Sequence, residues 1–285
     1  MNGMNVKRVG LSLWLGCLVA VGGCATSTTP EISTSVVRQP ETRDAKARLM
    51  AMSRKLAQTQ RFSVKILMNY DVVQESGVKI VFRERREVLL DRSRGLRAYG
   101  LESDGDRRAL YYDGKAITLF DASENIYANI PFSAGLDKAI RYAVSSLDIR
   151  VPLAWMLLTS LPQDLERLTT DLSYVELDVL DEPATDHIVG STKNVDYQFW
   201  IGPDDLPRRL VLTYRKEPGQ PEFRAEFGDW DLSPRVSNNA FVFTPPPGAE
   251  QVPFLIPRKE SVPMGKMPES KERAKKKVIQ DDDEF

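Results

Sequence analysis

The feature that most constrains this chain is a two-residue alternation of apolar and polar side chains, repeated along most of its length. In the first run, Phe62, Val64 and Ile66 alternate with polar residues, a pattern typical of a half-buried β-strand. The alternation continues to residue 72 and resumes at Val78. Further runs cover residues 96–101, 109–112, 115–120, 125–130, 174–179, 187–191, 195–201, 208–214 and 223–230. The sequence therefore predicts about ten or eleven strands.

The connections between these strands are short, which favours antiparallel hairpins. Asp113-Gly114 predicts a two-residue hairpin turn, and residues 121–124 predict a longer one. Residues 83–87 (Arg-Glu-Arg-Arg-Glu) carry charges on both faces of their strand, as an edge or protruding strand would. So many strands in one mainly antiparallel sheet also predict strong curvature.

Helical periodicity occurs in two places. Apolar residues from Ala45 to Leu56 recur at spacings of three and four, which predicts a helix over residues 43–57. A second helical region is predicted over 136–159, and it includes a short apolar helix, 152–158, that begins with a proline. The predicted fold class is therefore α+β, a strongly curved, mainly antiparallel sheet with helices covering its concave face.

The N-terminus is typical of a bacterial export signal. Lys7 and Arg8 precede an apolar run over residues 9–21, which is shorter than the roughly 20 residues of a membrane-spanning helix. The run ends in Leu-Val-Ala-Val-Gly-Gly before Cys24, a sequence that resembles the bacterial lipobox. Cleavage before Cys24 would remove Cys17 and leave Cys24 to carry acyl chains such as palmitate, which anchor a protein in a membrane. An ordinary secretory signal that happens to contain a cysteine is the alternative.

Acylation at Cys24 predicts a protein of the cell envelope. Ala25 follows the cysteine, and by resemblance to the sorting rule of enteric lipoproteins this favours the periplasmic face of the outer membrane. The sequence then divides into a signal peptide (1–23), a flexible tether (24–41), a folded domain (42–256) and a disordered charged tail (257–285). The tail carries a basic block before an acidic one, which leaves open a contact with anionic lipid or a protein partner, or solvation alone.

Composition excludes several kinds of chemistry. Lysine and arginine number 39 against 40 aspartate and glutamate, and this balance disfavours nucleic acid as a partner. Two cysteines and one histidine are too few for a structural zinc site, and both cysteines lie in the signal region, so no disulfide is expected. His187 lies in a predicted strand, and the chain has neither a Gly-x-Ser-x-Gly elbow nor a phosphate-binding glycine loop. We therefore expect no catalytic residue, no metal and no cofactor, and a binding protein rather than an enzyme.

Several segments resemble a known family. They cover residues 111–121 (YYDGKAITLFD), 125–128 (NIYA), 196–202 (DYQFWIG), 206–214 (LPRRLVLTY), 227–230 (FGDW) and 241–246 (FVFTPP). Together they resemble a predicted periplasmic family, domain of unknown function 2092, over residues 45–252. That family is similar to the lipoprotein carriers LolA and LolB, so the resemblance implies a half-barrel closed by helices that holds acyl chains. Where a Cys-x-His pair is expected, this chain has Thr185-Asp186-His187, which argues against a redox role.

The apolar face of the sheet is the remaining candidate site. The expected ligand is an acyl chain of a lipid or lipoprotein, with helix 152–158 as a movable lid. The residues expected to contact the ligand are Ile66, Met68, Phe82, Trp155 and Met156. Two of the five are methionines, whose flexible thioethers suit varied apolar ligands. Three alternatives stay open: that these residues are ordinary core, that the chain is an envelope assembly factor acting through protein contacts, and that it is a hydrolase dependent on His187.

Overall fold

The computed structural model describes residues 44–147 and 153–254. The described residues form three α-helices, one 3-10 helix and twelve strands. The helices are α1 (Ala45–Gln58), α2 (Leu136–Ser145), the 3-10 helix (Ala154–Leu157) and α3 (Leu161–Leu168). The strands are β1 (Arg61–Val73), β2 (Lys79–Asp91), β3 (Gly95–Glu102), β4 (Arg107–Tyr112), β5 (Ala116–Asp121), β6 (Ile126–Pro131), β7 (Asp171–Asp178), β8 (Thr185–Ser191), β9 (Val195–Ile201), β10 (Pro207–Tyr214), β11 (Glu222–Asp231) and β12 (Glu250–Gln251).

All twelve strands form one open, curved sheet in the order β12-β6-β5-β4-β3-β2-β1-β11-β10-β9-β8-β7. Strands β1 to β6 form one antiparallel meander and β7 to β11 form a second. The two meanders join where β1 pairs with β11, and the single parallel pairing is between β12 and β6. The predicted fold class is confirmed.

One face of the sheet is covered by the helices, and we call it the helix-covered face. On β1, the alternate residues Phe62, Val64, Ile66 and Met68 are buried in one apolar cluster with residues of the helices. The register sets Phe62 beside Leu90 of β2, so the buried rows continue from strand to strand. The sequence alternation therefore identified the buried side of β1, because side chains on a strand point alternately to its two faces.

The charged residues 83–87 do not form an edge strand. Strand β2 lies between β1 and β3 in the interior of the sheet, so the edge prediction is wrong. The β1–β2 hairpin does extend past its neighbour, because pairing of β2 with β3 ends at Glu84 and Glu102. The charges are tolerated because Glu84 and Arg86 form an ion pair with each other on the helix-covered face.

One predicted helix is found, and the helices depart from expectation in two ways. The predicted helix 43–57 is found as α1, and the Asp44 side chain accepts a hydrogen bond from the Lys46 N–H at 2.9 Å at its start. The predicted apolar helix 152–158 is instead the four-residue 3-10 helix. Helix α3 was not predicted, although it begins with a Leu-Pro pair and buries Leu161 and Leu165 four residues apart.

Two turns owe their shape to particular residues. The loop between β4 and β5 holds three residues rather than the predicted two, because the Asp113 carboxylate accepts hydrogen bonds from the Lys115 and Ala116 N–H groups. In the FGDW motif, a bulge places Asp229 at φ 52°, and Trp230 then contacts Phe62 with ring centroids 5.5 Å apart.

The opposite face is partly covered by the segment 232–254, which we call the C-terminal segment. Its Phe243 ring contacts the rings of Tyr111, Phe120 and Tyr127 at 5.1 to 5.3 Å. Within residues 44–147 and 153–254, no helix has the length and apolarity needed to cross a membrane. Cys24, the tether, the charged tail and Pro152 lie outside the described residues.

Candidate functional site

The helix-covered face of the sheet and the helices that pack on it form the hydrophobic core of the described residues. Helices α1 and α3 and the 3-10 helix, which we call the helical layer, pack together and bury one apolar side each. The buried side chains of the layer include Leu49, Met52, Leu56, Met156 and Leu161. Those of the sheet include Phe62, Met68, Leu90, Ile188, Phe199 and Leu210. Burying each such side chain contributes about 1.5–3 kcal/mol to folding, so the contact between the helical layer and the sheet is a main source of stability of the domain.

The five predicted ligand residues lie on both sides of this interface. Ile66 and Met68 are buried on the sheet, and Met156 is buried in the 3-10 helix. Trp155 is half-buried and contacts Phe199 edge-on, with ring centroids 6.4 Å apart. Phe82 lies farther along β2, where it stacks on Tyr70 with centroids 6.0 Å apart. The fold thus brings four of the five into one cluster and connects Phe82 to it through Tyr70.

An arginine at the β2–β3 turn holds one end of the helical layer. The Arg92 guanidinium donates hydrogen bonds to the carbonyl oxygens of Leu56 at 2.9 Å, Thr59 at 3.0 Å and Leu157 at 2.9 Å. It also lies 3.8 Å from the Asp137 carboxylate of α2. Its side chain is only 9% exposed, and burial lowers the pKa of Arg92. One side chain therefore connects α1, α2 and the 3-10 helix to the sheet.

A second arginine holds α1 to the opposite end of the sheet. Arg48 Nε lies 2.7 Å from Asp186 of β8, and Nη1 lies 2.5 Å from Asp205. Arg48 Nη2 donates a hydrogen bond to the Gly202 carbonyl oxygen at 2.8 Å. The buried Asp186 carboxylate also accepts a hydrogen bond from the Tyr174 hydroxyl at 3.1 Å. Sequence reasoning missed both arginines because their partners lie far away in the chain and form no local pattern.

An open cleft lies beside the layer, between α1, α3 and the first half of β7. Its volume is about 460 Å³. The lining includes the buried residues Leu49, Met50 and Leu165, while Lys46 and Glu166 form an ion pair at 3.0 Å on the exposed side. None of the five predicted ligand residues lines this cleft. The predicted ligand residues therefore do not line the cleft that is open to solvent.

A charged group continues the helix-covered face beyond its apolar part. Arg108 lies 3.1 Å from Glu102 and 3.2 Å from Asp121, on strands β3 to β5. Burial raises the pKa of Glu102, and the Arg108 guanidinium opposes that rise. The register sets Glu102 beside Glu84, so this group adjoins the Glu84–Arg86 pair. Because each cation has a carboxylate partner, the group leaves neither of its arginines on this face without a counter-charge.

His187 lies on the opposite face of the sheet. Its ring stacks on Trp200 with centroids 3.9 Å apart, and Nε2 lies 3.0 Å from Gln198 Oε1. The Arg209 guanidinium lies over the same indole at 5.0 Å, and the indole N–H donates to Asp178 at 3.1 Å. This is a stacked surface column with a packing role. Among the described residues, no group of three or more His, Cys, Asp or Glu side chains is placed to hold a metal ion.

Comparison with known proteins gives distant structural similarities. No curated protein matches the chain. An uncharacterized conserved protein from Thermus thermophilus is 12% identical, with a TM-score of 0.41, and the match covers 73% of this chain and 98% of that one. A chain of the Pseudomonas aeruginosa MucA/MucB complex is 15% identical, with a TM-score of 0.38 and coverage of 70% and 61%. The LolA superfamily protein NE2245 from Nitrosomonas europaea is 9% identical, with a TM-score of 0.36 and coverage of 70% and 97%.

These similarities concern the fold and assign no substrate or partner to this chain. The family comparison is more specific. The model described as "Predicted periplasmic protein (DUF2092)" matches residues 45–255, from the start of α1 to the end of the C-terminal segment. The match spans most of the chain and confirms the family that the sequence motifs resemble. This chain therefore belongs to the DUF2092 family of predicted periplasmic proteins.

Proposed function

We propose that this chain is a non-enzymatic lipoprotein, anchored through Cys24 to the periplasmic face of the outer membrane, that binds an acyl chain of a lipid or lipoprotein on its helix-covered face. The ligand replaces part of the helical layer against the sheet. The family description supports a periplasmic location. The outer membrane and the anchor rest on the sequence around Cys24.

One observation carries the ligand proposal. The interface between the helical layer and the sheet contains four methionines: Met50, Met52, Met68 and Met156. Thioether side chains change rotamer at low cost, so an interface rich in them can repack around a flexible apolar guest. Leucine or β-branched residues at these positions would give a stiffer core.

The 3-10 helix is the part of the helical layer that we expect to move, because it is the shortest of the described helices. The 3-10 helix has four residues, and its Leu157 carbonyl oxygen receives one hydrogen bond from Arg92. Each methylene of an acyl chain buried beneath it contributes about 0.8 kcal/mol, so ten methylenes contribute about 8 kcal/mol. Part of that energy offsets the contacts that Trp155 and Met156 lose when the helix moves.

The test uses the fluorescence of Trp155. A bromine-substituted stearic acid should quench tryptophan emission of the mature chain, because Trp155 lies in the helical layer that the acyl chain displaces. Trp155→Phe should lose the share of the quenching that Trp155 contributes, while Trp230, which contacts Phe62 of the same face, accounts for the remainder. Trp200→Phe is the matched control, since Trp200 lies on the opposite face, and it should keep the quenching.

The proposal is wrong if the probe leaves emission unchanged, or if the two variants lose quenching equally. Mass spectrometry of protein extracted gently from membranes gives a second measurement, and a bound lipid should accompany the wild-type chain. Extracted protein that carries no lipid and does not respond to the probe would reject the ligand.

The anchor is tested separately. The wild-type chain should incorporate labelled palmitate and sediment with membranes, and Cys24→Ala should do neither. The fold should be unaffected, because a linker of about 16 residues separates the cysteine from the domain. Equal labelling of the two proteins would reject the anchor and leave the ligand proposal standing.

A further inference from the structure

Strand β7 is the last strand on one side of the sheet that the described residues form. Among the described residues it pairs with β8 on one side and with no strand on the other. An unpaired strand edge exposes a row of backbone N–H and C=O groups that another chain can pair with. Natural proteins protect such an edge with charged side chains, above all lysine, with proline, with a bulge or with a covering segment. Strand β7 has a bulge between Tyr174 and Glu176. Residues 171–180 contain no lysine, arginine or proline.

The side chains at this edge are also apolar. Val175 is 47% exposed, and Leu177 is exposed beside it. Val179 and Leu180, directly after the strand, are 70% and 91% exposed. Contiguous exposed apolar side chains at a strand edge are characteristic of interaction surfaces.

The cleft described above follows the same edge. Residues 171–174 of β7 form one wall of it, and α1 and α3 form the other. A strand added to β7 would point alternate side chains to the helix-covered side, where the cleft is lined by the half-buried Leu172 and Tyr174, with Leu165 behind them. Recognition by strand addition combines such pockets with main-chain hydrogen bonds.

The charge at the edge restricts the occupant. Asp171, Glu176 and Glu182 are exposed, and no lysine or arginine occurs from 171 to 192. Two copies of β7 side by side would bring like charges together, which is destabilising. A segment with basic side chains would instead complement the edge.

We propose that β7 binds an extended segment of a protein partner, in which apolar and basic residues alternate, by adding it to the sheet as a further strand. The apolar side chains enter the cleft, and the basic ones face Asp171 and Glu176. This inference goes beyond the acyl-chain proposal and does not depend on it.

The experiment uses the mature chain and a short fluorescein-labelled peptide of alternating valine and lysine. Anisotropy should report binding, and amide hydrogen exchange should slow in residues 171–178. A valine–glutamate peptide should bind about tenfold more weakly or less, because its charge is reversed. A valine–lysine peptide with alternate backbone nitrogens methylated should not bind, since it cannot pair with the edge.

Two variants of the protein test whether the peptide binds at β7. Val175→Lys should weaken binding of the valine–lysine peptide about tenfold, by adding a like charge at the edge. Val81→Lys is the matched control, because Val81 is 55% exposed on the distant β1–β2 hairpin, and it should leave binding unchanged. No binding, equal binding of the two charge-reversed peptides, an equal effect of the two variants, or a dimer that Val175→Lys dissociates would each overturn the proposal.

Discussion

The two edges of the sheet differ in how the described residues cover them. At the β6 edge, β12 adds a short parallel strand, with the Glu250 N–H donating to Asn125 O at 3.1 Å and the Val252 N–H donating to Tyr127 O at 2.8 Å. The ring of Phe243 fixes the segment that leads to it. At the β7 edge, the described residues supply no covering strand, and the apolar side chains remain exposed.

Within the described residues, the β6 edge is covered by a short strand, while the β7 edge can still be reached by a strand of another chain. Charged side chains, a bulge, proline or a covering segment can each protect an edge from aggregation. Strand β7 has exposed carboxylates and a bulge after Tyr174, but the described residues give it no covering segment. Here the C-terminal segment covers one edge, while the other keeps Val175 and Leu180 in solvent. This difference between the edges supports the proposal that a partner binds at β7. It can be tested by detaching β12 from the β6 edge or by altering side chains at the β7 edge.

The largest expected effect comes from removing the ring that fixes the C-terminal segment. Phe243→Ala should lower the free energy of unfolding by about 2 kcal/mol, because three aromatic contacts are lost at a half-buried site. Hydrogen exchange should quicken in Ile126–Pro131 as β12 detaches. Val242→Ala, at an exposed neighbour, is the control and should change neither quantity. Unchanged exchange in β6 after Phe243→Ala would mean that β12 holds the edge without Phe243.

A smaller effect should follow from deleting one hydrogen bond at the same edge. Val252→Pro removes the N–H that donates to Tyr127, which should cost about 1 kcal/mol in urea unfolding. Val252→Ala keeps that N–H and separates the hydrogen bond from the side chain. If the alanine and proline variants are equally stable, the backbone pairing of β12 contributes nothing to the closure.

The smallest effect is expected at the open edge. Leu180→Ser should change the free energy of unfolding by less than about 0.5 kcal/mol, because Leu180 is already almost fully exposed. Light scattering at high protein concentration should fall, since an apolar side chain has left the surface. A loss of more than about 1 kcal/mol would show that Leu180 is covered in the protein.

Sequence reasoning reached the elements that carry a repeating signal. The period of two located β1 to β11 because most of these strands have one buried row, and Leu49 and Leu56 marked the buried side of α1. Strand β7 has no buried residue, and its side chains alternate between half-buried and exposed only in its first half. The two-residue β12 is too short to show any period. Helix α3 spans eight residues, and its Leu161 and Leu165 were too few to separate it from the preceding apolar run.

A repeating pattern of apolar residues does not predict where a strand lies within the sheet. Charges on residues 83–87 indicated an edge, yet Glu84 and Arg86 neutralise each other within an interior strand. The apolar alternation of β7 indicated an ordinary strand, and pairing alone made it an edge. The structural roles of Arg48 and Arg92 could not be predicted from the sequence either, because they depend on long-range contacts with Asp186 and Leu56.

The pairing of β1 with β11 has a consequence for the order of events when the chain folds. These strands come from near the two ends of the domain, and they meet in the middle of the sheet. Each meander can form from neighbouring hairpins as soon as its own residues are present, but the seam between them waits for the last long strand. A chain emerging N-terminus first therefore exposes the apolar flank of β1 until β11 arrives, so a product truncated before Glu222 should be aggregation-prone and a substrate for chaperones or proteases.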